Sequence, residues 1–199
     1  MKTQPVGVVL AILAAALGLS GWCLAGNEPT EPAPTQGNAT NLTFREPFTL
    51  RIRADKDNVY EERFERKIPF VADNDVYLFC GESFGLSLGV ASGEVASVAY
   101  QPNKEQADIE LELTQEIGPN GEPLTMLVLK SNVPQTLYLD ALMTLPERKE
   151  IFHTTILPLQ PGMSGYESWP HPIVQLVLRN LRFKESPPNA PEADRVPAN

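Results

Sequence analysis

Two histidines, His153 and His171, are the only imidazoles in the chain, and the second lies in an unusual run: Pro161-Gly162-Met163-Ser164-Gly165-Tyr166-Glu167-Ser168-Trp169-Pro170-His171-Pro172. If the fold brought His153, His171 and the Glu167 carboxylate together, they could hold a divalent cation or move a proton. Both rings would then converge on one ion, about 2.0–2.1 Å from each ligating nitrogen for zinc. A catalytic zinc site commonly takes three protein ligands, and no local spacing supplies them. The same run supports a recognition reading, in which Tyr166 and Trp169 are rigid aromatic anchors and Glu167 or His171 is the polar handle. A packing reading competes with it: Trp169 plugs an open end of the fold while the prolines stiffen a loop. The nominated binding residues are Tyr166, Glu167, Trp169 and His171, with no catalytic residue, metal ligand or cofactor assigned.

Other chemistries find less support. Blue copper needs a cysteine with a histidine close behind it, but Cys80 is followed by none until His153. Asp55-Lys56-Asp57-Asn58 and Asp73-Asn74-Asp75 faintly resemble calcium loops. Counting along them puts Arg66 and Phe84 where the bidentate carboxylate belongs, so both read as solvated turns. No Gly-x-Ser-x-Gly elbow is present, since Gly162-Met163-Ser164-Gly165 has the wrong spacing. Gly81, Gly85, Gly89 and Gly93 recur every four residues without a following Lys-Ser/Thr pair, which assigns them to bulges and turns rather than to a phosphate loop. Cys80 ends the apolar run Val76-Tyr77-Leu78-Phe79-Cys80 and reads as a small buried hydrophobe.

The segments flanking this chemistry set its compartment. Met1-Lys2-Thr3-Gln4 followed by an uncharged Ala/Leu/Val-rich run, Pro5 to Gly26, has the parts of a secretory signal peptide. Residues 1–25 are therefore expected to direct export to the periplasm or the medium, with Cys23-Leu24-Ala25 as the cleavage site. Two alternatives are an uncleaved anchor and lipid on Cys23, for which Trp22 is a poor preceding residue. Residues 26–43 are a proline-rich linker carrying the sequons Asn38-Ala39-Thr40 and Asn41-Leu42-Thr43, and 185–199 form a tail of similar composition. Between them, 44–184 provide about 140 residues, enough for one sizeable core. With Cys23 removed, no internal disulfide can form. The net charge of −9 argues against nucleic acid or an anionic membrane surface as partner.

Within 44–184 the dominant period is two. Asp108-Ile109-Glu110-Leu111-Glu112-Leu113-Thr114 alternates without fault, placing Ile109, Leu111 and Leu113 on a buried face. Gly118-Pro119-Asn120-Gly121-Glu122-Pro123 then turns the chain, with Asn-Gly suited to positive φ at two central positions, and 124–130 runs back. Further strands are expected at 48–53, 76–80, 85–90, 95–100, 135–143, 154–159 and 173–179. Residues 58–67 are compatible with either a helical turn or an exposed edge strand. Eight or nine short strands separated by frequent turns predict an all-β, antiparallel two-sheet β-sandwich, immunoglobulin-like in the broad sense, with a small β-barrel as the alternative.

The function expected from these features is that of an exported, non-catalytic β-sandwich that binds a protein or envelope component through an exposed edge or the 161–172 segment. The alternative is an enzyme or metal-dependent site built around His153, His171 and Glu167.

Overall fold

The computed structural model describes residues 42–184, so the leader, most of the linker and the 185–199 tail lie outside the described residues. The chain forms an antiparallel β-sandwich with no closed barrel, and the described residues hold no α-helix. The twelve strands are β1 (Phe48–Arg53), β2 (Val59–Phe64), β3 (Val71–Ala72), β4 (Asp75–Phe79), β5 (Glu82–Ala91), β6 (Glu94–Gln101), β7 (Ile109–Ile117), β8 (Pro123–Ser131), β9 (Tyr138–Thr144), β10 (Phe152–Thr155), β11 (Ser164–Trp169) and β12 (Gln175–Arg182). One five-stranded sheet runs β10-β9-β12-β4-β3 and the other β11-β8-β7-β5-β6, while β1 and β2 form a separate hairpin.

Alternation decides which side chains meet between the sheets. In β7, Ile109, Leu111 and Leu113 point inward and are buried. They meet Leu127 and Leu129 of β8, Leu86 of β5, and Leu176 and Leu178 of β12 in one large core. Glu110 and Glu112 stand on the opposite face. A second, smaller core lies under the β1–β2 hairpin, where Leu50 and Ile52 pack on Phe79 and Val174. Phe48, Phe64 and Phe79 meet there with ring centroids 5.0 Å apart in each pair. The hairpin is also tied to β7: the Gln115 side chain accepts from Arg53 N–H at 2.7 Å and donates to Arg53 C=O at 3.0 Å. Residues 58–67, ambiguous in the sequence, are thus largely strand, because Tyr60 and Phe64 gain a buried face only when β2 pairs with β1.

Turn chemistry explains the tight connections. Asp73 and Asn74 both have positive φ, 52° and 65°, in the two-residue β3–β4 turn, and Ser92 and Gly93 do the same in the β5–β6 turn, at 54° and 79°. The β7–β8 connection differs from the expected Asn-Gly turn. Pro119 fixes a negative φ and centres the turn on Pro119-Asn120, with Gly121 N–H donating to Gly118 C=O, so only Gly121 takes positive φ. Gly85 has a separate reason to be glycine, since a Cβ there would collide with the Ala107 side chain.

The flank where β3, β4, β5 and β6 meet is tightly closed. Arg45, buried at the base of the hairpin, forms an ion pair with Glu82 and donates to the carbonyls of Pro69 at 2.7 Å and Tyr77 at 2.5 Å. Its guanidinium lies 3.9 Å from the Phe70 ring centroid, and Phe70 stacks on Tyr100 at 4.1 Å. A buried cation survives only where its donors are this fully matched.

Candidate functional site

The 161–172 run, expected to be a loop, contains strand β11. Ser164, Tyr166 and Ser168 alternate with Gly165, Glu167 and Trp169, and the small serines and glycine conceal a strand pattern that ordinary apolar alternation would reveal. β11 pairs with β8 alone and ends its sheet. The hydrogen bond from Ser131 N–H to Met163 C=O sets the phase of that pairing. In an antiparallel ladder the bonded pairs recur every second residue. Gly165, Glu167 and Trp169 therefore turn their backbone groups toward β8, and Ser164, Tyr166 and Ser168 turn theirs to the open side. Among the described residues, no backbone group bonds to that open side.

The nominated residues have four separate situations. Trp169 is buried in the main core, and its indole N–H donates to Thr154 Oγ1 at 2.9 Å, joining β11 to β10 on the opposite sheet. Glu167 is half-buried, and its carboxylate accepts from Leu157 N–H at 2.8 Å, tying down the crossing segment between the sheets. Tyr166 is 66 % exposed on the outer face. His171 lines a different place, a cleft of about 520 Å³ between the hairpin tip and the β9–β10 connection, together with Asp55, Asn58, Glu147 and Arg148. His153, exposed on β10, lines a third, a cleft of about 380 Å³ with Asp140, Thr155 and Arg179. The two imidazoles thus belong to separate clefts, and Glu167 is engaged with backbone away from both. Among the described residues, no three His, Cys, Asp or Glu side chains gather as a metal-binding group.

The acids and thiol near these places are held in fixed states. Hydrogen bonds from the Asn58 side chain and from the N–H groups of Asp57 and Asn58 keep the Asp55 carboxyl below the usual carboxylate range. That pattern is a turn of the chain on itself, as the sequence reading of 55–58 expected. Burial, a hydrogen bond to Glu62 and the charges of Glu62 and Glu147 push the Tyr60 phenol up. Burial also raises the Cys80 thiol to about 11, leaving it neutral and unreactive near pH 7.

What distinguishes β11 is clearest against the other strand edges. At the far edge of the same sheet, Asn74 inserts its side chain like a rung of a missing strand: Oδ1 accepts from Val98 N–H at 2.9 Å and Nδ2 donates to Ala96 C=O at 3.4 Å. The other sheet ends in β3, two residues long, and β10, four residues long, too short to template a new strand. β2 is lined with Glu61, Glu62 and Arg63, which keep an exposed edge hydrated. β11 has six residues, its outward-facing backbone groups belong to uncharged residues, and exposed Leu157, Met163 and Tyr166 lie on or beside it. The sequence carried the aromatic clue to this site in Tyr166, but the openness of the edge follows from the pairing of β11 with β8 alone, and its contrast with the Asn74 contacts at the other edge is announced by no local pattern.

No family model, curated protein or solved structure matches the chain. The residues and their geometry alone carry its functional reading.

Proposed function

We propose that this protein is an exported, non-catalytic β-sandwich that binds a protein or envelope component along the open edge of β11. The leader-like run before Gly26 supports the export part of this reading. The observation that carries the binding part is the contrast of edges: β11 turns the N–H and C=O groups of Ser164, Tyr166 and Ser168 into solvent beside the exposed Tyr166 ring, while on β6 the Asn74 side chain takes Val98 N–H and Ala96 C=O. Strand addition uses such an edge, main-chain hydrogen bonds giving affinity and side-chain contacts giving selectivity. Tyr166 supplies the aromatic contact, and Glu167 and Trp169 hold the strand in place from behind.

A photo-crosslinking amino acid placed at 166 and, separately, at 97 on β6 tests the reading in cells. A discrete crosslinked protein product from position 166 and none from 97 is expected. Equal products from both positions, or none from 166, would overturn it.

A further inference from the structure

We infer that the occupant of the β11 edge is a second copy of this chain, joined antiparallel about a two-fold axis through Tyr166. The inference rests on the reading of β11 as a binding edge and adds the identity of the partner. The side chains on the outer face of β11 read the same in both directions: Ser164, Tyr166, Ser168. An antiparallel pair centred on Tyr166 sets Tyr166 against the second copy's Tyr166, and Ser164 against the second copy's Ser168. These are the residues whose backbone groups face the open side, so each facing pair exchanges two hydrogen bonds, about six in all. The two five-stranded sheets become one continuous sheet, and two open edges disappear together.

Charge placement decides in favour of this register in a chain of net charge −9. Glu167 is the one charged residue of β11, and in this pairing it faces the second copy's Gly165, not another carboxylate. Its carboxylate is already engaged by Leu157 N–H. On the outer face, Tyr166 sits beside Val128 of β8, which sits beside Glu112 of β7. Across the seam the row reads Glu112, Val128, Tyr166, then the same three in reverse, so tyrosine and valine occupy the middle. The two Glu112 carboxylates are five strand spacings apart, about 24 Å. That exceeds the Debye length of about 10 Å at 0.1 M salt, so the repulsion between them is screened. Exposed Met163 falls opposite the second copy's position 169 at either end, so each copy brings one exposed apolar side chain to the seam.

Sedimentation of the purified protein over a concentration series tests the pairing. The expected result is a species of twice the mass of the purified chain that dissociates on dilution. Tyr166→Lys places two ammonium groups opposite each other at the axis and should return the protein to a monomer at every concentration. Ala96→Lys on β6 should leave the doubled mass unchanged. Both positions are exposed, and an unaltered far-ultraviolet circular dichroism spectrum would confirm that the variants fold. A wild-type protein that stays monomeric, or a dimer that survives Tyr166→Lys, would overturn the inference. The two failures separate: a monomeric wild type whose position 166 still crosslinks to a different protein loses the second copy but keeps β11 as a binding edge. A monomeric wild type with no crosslink at 166 loses both.

Discussion

At one end of the β11-β8-β7-β5-β6 sheet, Asn74 reaches from the β3–β4 turn to bond Val98 N–H and Ala96 C=O. At the other, Ser164, Tyr166 and Ser168 offer the same kinds of group to solvent. The flanks behind these edges differ in the same sense. Behind β6 stand the Arg45–Glu82 ion pair and the Phe70, Phe84 and Tyr100 rings. Behind β11 stand one indole hydrogen bond to Thr154 and one carboxylate cap on Leu157. A sandwich need not protect both edges of a sheet alike. Where one edge is plugged by a side chain whose only tertiary role is to imitate a strand, an unplugged edge in the same sheet marks the surface available to a partner.

The largest expected effect lies on the closed flank. Glu82→Gln leaves the Arg45 guanidinium buried without its counter-charge, and urea unfolding should register a loss of about 3 kcal/mol, the low end of the range for breaking a buried pair, because Glu82 is partly exposed. A loss below about 1 kcal/mol would mean that the closed flank is held by its aromatic rings instead. Next comes Asn74→Gly, which keeps the positive φ at no steric cost and deletes only the plug. It should cost about 1–2 kcal/mol through the unpartnered Val98 N–H and make β6 self-associate, read as a concentration-dependent rise in mass. Thr154→Val removes the acceptor of the Trp169 indole and should cost about 1 kcal/mol by the same urea assay. Smallest is Tyr166→Lys, whose side chain projects into water: stability should stay within about 0.5 kcal/mol while the doubled mass is lost. An effect of Tyr166→Lys as large as that of Thr154→Val would place Tyr166 in the fold's own packing and erase the contrast between the edges.

Much of the architecture was legible because burial leaves a period. Ile109, Leu111 and Leu113 marked β7 without help from any other part of the chain, and the runs at 48–53, 76–80, 85–90 and 124–130 fall on strands for the same reason. β11 was hidden because its inward positions are Gly165, Glu167 and Trp169, only one of them apolar, and because prolines on both sides suggested a loop. β3 is too short to have a period at all. Of the candidate site, Tyr166 and Trp169 were visible as aromatic residues, but their opposite orientations followed only from the strand that alternates them. The role of Asn74 was invisible in principle: the Asp73-Asn74 pair announces a turn, whereas its hydrogen bonds to β6 depend on how the two sheets are stacked.

The contrast between the edges is measured most directly by residue-resolved amide hydrogen exchange on the dilute, monomeric protein. The expected result is slow exchange at Val98, whose N–H is bonded to Asn74, with fast exchange at Tyr166, whose N–H faces open solvent on β11. Equal rates at the two positions would contradict it: if both are slow, the chain itself covers β11, and if both are fast, Asn74 does not close β6.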